Sequence, residues 1–201
     1  MAAGFSMWEE RASREPVTLS DETASDADCG PIVEEAVESS AHVNDGPISY
    51  SAAPPAAGDH RDRWAHYSRN FYEVADRPEV GELVHNLEHG YNVLWYDDTV
   101  VEDTELLDEL RLLAESYDGA ERDPDTALIA TPWTAEDGAP FPDGMSYALT
   151  HWYADPADRT RSRADERAVT QYCDGLSPDV VQEWMDDYPL QHAPEGFRAN
   201  M

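Results

Sequence analysis

The stretch His85-Asn86-Leu87-Glu88-His89-Gly90 runs directly into Tyr91-Asn92-Val93-Leu94-Trp95-Tyr96. The second half is the clearer reading. Its β-branched and aromatic residues end at Asp97-Asp98, which marks a strand. The first half carries two imidazoles four residues apart with a carboxylate between them. That spacing puts both rings on one face of a helix, and also on one face of a strand. Glu88 discriminates: it joins the histidine face in a helix and points away from it in a strand. Gly90 and the strand that follows at once favour a short helical turn over a long helix.

Outward from this stretch, Pro78 to Gly81 interrupts the chain upstream. Further upstream, residues 53–60 form a Pro/Gly loop through Pro54, Pro55 and Gly58 that ends on His60, and Ile48-Ser49-Tyr50 reads as a short strand. Downstream, residues 104–118 show the strongest helical stripe, Leu106, Leu110, Leu113 and Tyr117, with Thr104 as the expected cap and Gly119 as the stop. Core strands are expected at 127–131 and 147–153, the latter carrying His151. Helices are expected at 163–173 and 179–188, the second started by Ser177-Pro178. This order implies a small α+β domain with an antiparallel or mixed sheet and packed helices. The organisation expected is an acidic, disordered segment at 1–28 and a single globular metal-binding domain at 29–201.

The 201 residues carry 43 acidic and 13 basic side chains, a net charge of −30. Every base is Arg; there is no Lys. Such a surface repels nucleic-acid phosphate and anionic membrane, and stays soluble at high salt. No run approaches the ~20 apolar residues of a membrane span. The two cysteines, Cys29 and Cys173, either stand as free thiols or close one long loop. Neither has a second cysteine nearby, which leaves no thiolate zinc site.

The chemistry resides in the histidines. His85 and His89 form a facing pair, and His60 on a stiffened loop supplies a third imidazole at low entropic cost. A three-nitrogen site without thiolate suits zinc, copper, iron or nickel, and copper heads the divalent affinity order. Met145, Met185 and Met201 are available thioethers, although Met185 falls on the buried stripe of a helix. Trp64, Tyr91 and Trp95 are candidates for a pocket around the metal. Glu88 is a ligand or a general base. His-x-x-Glu-His also matches the inverted zinc-peptidase motif, but the strand after Gly90 leaves no room for the long helix of that class.

Tyr50, Pro54-Pro55, Gly58 and His60, then Leu83-Val84-His85-Asn86-Leu87-Glu88-His89-Gly90 and Val93-Leu94-Trp95-Tyr96, resemble an uncharacterised, mainly actinobacterial family of domains of unknown function. Its signature reads P-P-x-S-G-x-H followed by L-V-H-x-L-E-H-G, with Ala57 here in place of the usual Ser. The resemblance implies that His60, His85, Glu88 and His89 share one site. It also implies an exported domain behind a membrane anchor; the chain as given is expected to be cytoplasmic if full-length and exported if an anchor was removed. The functional expectation is a histidine-rich copper protein, either a metal handler or a mononuclear redox enzyme acting on an unidentified small molecule or peptide. The alternatives are a zinc hydrolase with Glu88 as base, and a non-catalytic acidic interaction domain.

Overall fold

The strand signal after Gly90 becomes the centre of a five-stranded mixed sheet. The computed structural model describes residues 27–66, 68–117, 124–158 and 162–196. The sheet comprises β1 (Val33–Ala36), β2 (Asn92–Tyr96), β3 (Leu128–Pro132), β4 (Tyr147–Tyr153) and β5 (Arg167–Cys173), in the order β1-β5-β4-β2-β3. Among the described strands of this sheet, β2 and β3 run parallel and the other neighbouring pairs antiparallel. The parallel pair needs a crossover, and two helices supply it: α2 (Asp98–Glu102) and α3 (Thr104–Ser116). The remaining helices are α1 (Val80–Glu88), just before β2, and α4 (Pro178–Asp187), after β5.

Both faces of the sheet are covered, so β2 and β3 are buried along their whole length. Leu94 and Tyr96 of β2, with Leu128, Leu149 and Val169, pack against Leu110 and Leu113 of α3 and Trp184 of α4. Val93 and Trp95, with Ile129, Ala148 and Trp152, pack against Leu83, Val84 and Leu87 of α1. Each of these leucines is almost wholly removed from water, a gain of roughly 1.5–3 kcal/mol apiece. Buried Asn92 ties the layers together: its carboxamide accepts from Trp184 Nε1 at 2.7 Å and donates to the Tyr188 carbonyl at 2.9 Å.

The expected strands at 91–96, 127–131 and 147–153 are all present within a residue or so, and the last expected helix is α4, with the Ser177 side chain accepting from Val180 N–H. The stripe helix is present too, but Asp103 caps it, accepting from Glu105 and Leu106 N–H. A carboxylate there also complements the positive end of the helix dipole. The expected stop at Gly119 and the expected segment at 1–28, up to residue 26, lie outside the described residues.

Two expectations are corrected. Residues 48–50 form no strand. Residues 163–173 are not a helix: a short 3-10 turn at Arg163–Asp165 leads into β5. The helix-forming run of Arg, Ala, Asp and Glu at 163–168 suggests a helix. Seven-residue pairing with β4, with Val169 and Cys173 packed into the core, overrides it. Edge strand β1 went unread because all four residues are exposed and two are Glu; charge on an edge strand discourages pairing with other chains.

Cys29 and Cys173 form a disulfide across a sequence separation of 144. Loop closure of that length is worth about 5 kcal/mol in the chain-entropy account. It fastens the start of the described chain onto β5, where Gly30 N–H also bonds the Tyr172 carbonyl at 2.8 Å.

α1 stops in two residues. Gly90 N–H bonds Leu87 C=O at 2.9 Å and Tyr91 N–H bonds Asn86 C=O at 3.0 Å, the paired bonds of a Schellman cap. Gly90 has φ +92°, and a Cβ there would lie 2.2 Å from the Leu190 carbonyl oxygen. Conformation and contact both demand glycine. Gly90→Ala is expected to destabilise the fold by about 3 kcal/mol, combining left-handed strain with a backbone clash. Urea unfolding checks this; a midpoint unchanged from the parent would contradict it.

Candidate metal centre

α1 delivers His85, Glu88 and His89 to one face, as three- and four-residue spacing on a helix requires. Glu88 therefore joins the histidines. Across from α1 lie two loop segments that pair through an isolated parallel bridge between His42 and His60. His60 N–H bonds the Ala41 carbonyl at 3.0 Å, and Val43 N–H bonds the His60 carbonyl at 2.7 Å. Asp59 reinforces the pairing: one carboxylate oxygen accepts from Ala41 N–H at 2.9 Å and from the Ser39 hydroxyl. Those bonds hold the Asp59 carboxyl below its usual range. At Gly58 φ is +130°, with the Tyr50 ring packed against it, and Tyr50 O–H donates to the Asp59 carbonyl at 2.7 Å.

The loops are fastened to α1 at two points. Arg61 N–H bonds Gly81 C=O at 3.1 Å, and the Arg61 guanidinium reaches Glu79 at 2.7 Å and the Val43 carbonyl at 2.9 Å. Asn86, between the two motif histidines, accepts from Ala65 N–H at 2.8 Å and donates to Ala65 C=O at 2.9 Å, both bonds buried. Its role is to hold the 61–65 strap onto the helix.

The result is a cluster in which His42, His60, His85 and Glu88 each offer one ligand atom, all within 4.8 Å of one another; the last three are buried. This cluster can hold a metal ion. Individual donor separations are shorter. His60 Nε2 lies 3.3 Å from His42 Nε2 and 3.2 Å from Glu88 Oε2. Four ligands set about 2.0–2.1 Å from one ion stand about 3.3 Å apart. The imidazoles are already aimed by their other nitrogens: Nδ1 of His60 faces the Gly58 carbonyl at 2.9 Å, and Nδ1 of His85 faces the Arg61 carbonyl at 2.6 Å. A proton on each Nδ1 leaves Nε2 as a lone pair pointing into the cluster, the usual arrangement around a ligating histidine. Glu88 Oε2 is buried and, despite its nearness to His60, meets no donor in hydrogen-bonding geometry.

Electrostatics follow from burial and neighbours. Burial, countered in part by the Arg61 carbonyl, pushes His85 down to about 4, so it is neutral near pH 7. Burial also opposes the charged forms of His60 and Glu88. Their mutual attraction outweighs it, leaving His60 raised and Glu88 lowered.

Of the residues expected from sequence, His60, His85 and Glu88 lie in this cluster. His89 stands at its edge, with Nε2 3.0 Å from His85 Nε2 and the two rings stacked 4.9 Å apart. His42 was missed. It belongs to no spaced motif, and only its pairing with His60 brings it in. The pocket residues separate. Trp64 is 46% exposed and lies edge-on to His85 and His89. Tyr91 and Trp95 are core, and Trp95 Nε1 donates to Thr150 Oγ1 at 2.9 Å. Trp152 is the unforeseen neighbour, its ring 5.8 Å from that of His60. Met185 packs in the core on the opposite face of the sheet, Met145 packs beside the α1-side core, and Met201 lies outside the described residues.

Asn86→Ala is expected to cost about 2–4 kcal/mol, since it strands two buried backbone groups of Ala65. Denaturant melts of the metal-free chain measure it; stability within 0.5 kcal/mol of the parent (about the scatter of a surface substitution) would mean the strap is held elsewhere.

A family model described as protein of unknown function, DUF3105, matches residues 42–199, a span that takes in His42, His60, His85, Glu88 and His89. No curated protein and no solved structure matches the chain.

Proposed function

We propose, for a chain that belongs to the DUF3105 family of proteins of unknown function, that His42, His60, His85 and Glu88 form a mononuclear transition-metal centre, with copper(II) as its occupant. The carrying observation is the convergence of four donor atoms at ligand spacing, three of them buried, around a carboxylate oxygen with no hydrogen-bond donor. A buried carboxylate left in that state is costly, and a bound cation removes the cost. Nitrogen-rich, thiolate-free coordination with one hard oxygen favours copper(II) over zinc on the divalent affinity order. The metal would supply redox chemistry; the chain orients the imidazoles through backbone carbonyls and shields the centre with Trp152.

The zinc-hydrolase alternative needs Glu88 as a base held off the metal, acting on its water. The position of Glu88 among the donors, 3.2 Å from His60 Nε2, supports a ligand instead. The disulfide supports an oxidising, exported setting.

Loading tests the ligand set. Untagged protein given equal copper and zinc is expected to take up one equivalent of copper with a nitrogen-rich type-2 paramagnetic resonance signal. His42→Ala is expected to lower affinity as strongly as His60→Ala or His85→Ala, by more than the roughly 10–100-fold of an outer residue. His89→Ala is expected to keep stoichiometric metal. Full metal retention in a His42/His85 double variant would overturn the centre; a silent, zinc-loaded protein would overturn copper.

A further inference from the structure

Of the four donor residues only His42 is exposed, and an exposed aromatic ring stands beside His85. Trp64 is nearly half exposed, which is unusual for the largest apolar side chain. Its ring lies 5.2 Å from that of His85 at 67° and 5.4 Å from that of His89 at 60°. The indole thus spans the edges of two stacked imidazoles and keeps part of its surface toward solvent. It is not a loose side chain on a loose loop. The next residue, Ala65, is 3% exposed and clamped through both its N–H and its C=O by Asn86. A rigid backbone holding an exposed aromatic next to a metal centre is a preorganised binding surface. His42, on the same centre, is also exposed, so solvent reaches the ligand set.

We propose that Trp64 is the platform of a ligand subsite beside this cluster, and that the subsite takes a planar azole or heteroaromatic amine. The ring stacks on the indole while its nitrogen reaches the metal; the assignment rests on the metal-centre reading above. The chemistry of the rim selects the class. The nearby cations, Arg61 and Arg63, are paired with Glu79 and Glu82, which offsets their charge toward an incoming carboxylate or phosphate. The chain's charge of −30 disfavours anions further. A π face remains, and copper(II) in a tetragonal N,O set of four protein donors can take a further ligand; a neutral heteroaromatic nitrogen donor satisfies both.

Three probes titrated into the copper-loaded full chain test this: azide, imidazole and benzimidazole, followed by optical and paramagnetic resonance spectra. Azide reports the further metal position alone. Benzimidazole adds a second ring for Trp64. Benzimidazole is expected to bind about tenfold tighter than imidazole, the scale of one aromatic stacking contact. Trp64→Ala is expected to abolish that preference and leave azide affinity unchanged, and Trp64→Phe to keep most of it. A preference that survives Trp64→Ala, or is absent from the parent, overturns the platform while leaving the metal centre intact. Copper that binds stoichiometrically but admits no probe shows a closed coordination sphere and overturns the subsite alone. A chain that takes up no metal overturns the metal-centre reading and the subsite with it.

Discussion

The reversal at Gly90 is the constraint on which the rest of the structure depends. It ends α1 and starts β2 within two residues, so the helix that carries His85 and Glu88 is rigidly coupled to the central strand of the sheet. The Leu190 carbonyl sits where any side chain at 90 would go. The C-terminal segment also bonds the end of α1 itself, through Glu195 N–H to the Glu88 carbonyl at 2.9 Å. One turn thereby fixes the helix against the sheet and the last described segment against the helix. The donor positions on α1 are set by this turn together with the buried packing of Leu83, Val84 and Leu87.

The cluster exists against an energetic gradient. Burying a carboxylate and two imidazoles together costs free energy unless each finds a partner. The chain meets that cost in part: Nδ1 of each buried imidazole in the cluster has a backbone carbonyl, and His60 Nε2 lies 3.2 Å from the Glu88 carboxylate. Side-chain packing alone gives no reason for four donors to meet at 3–5 Å. A cation in their midst would give one.

The surface charge belongs to a different level of the design. Among the described residues, exposed acids lie on edge strand β1 (Glu34 and Glu35) and along α2, α3 and α4, for example Asp98, Glu105, Asp108, Glu183 and Asp186. Several arginines are paired with loop acids, at the surface for Arg69–Asp76 and Arg111–Glu73 and largely buried for Arg77–Asp137. Exposed pairs of this kind contribute little to stability. Their effect is on solubility and on which ligands approach, which bears on the rim of the site more than on its interior.

Much of this was legible in the sequence. Periodicity marked α3, α4 and three core strands, since those residues are buried on faces that local spacing defines. The i, i+3, i+4 placement of His85, Glu88 and His89 was readable as soon as the helical alternative was chosen, and Gly90 supplied the reason to choose it. Local pattern failed where the outcome was decided by a distant partner. β5 carries helix-forming residues and became a strand by pairing with β4. β1 is exposed and charged, with no apolar alternation to reveal it. His42 has no motif around it and enters the cluster only through its bridge to His60. Trp95 and Trp64 look alike as aromatic residues near the motif, yet one is sealed in the core and the other stands at the rim. By itself the sequence determined which side chains were available and how they repeat along each element. The tertiary structure alone decided which of them meet, because convergence of residues 42, 60, 85 and 88 depends on loop closure and layer packing that no local spacing encodes.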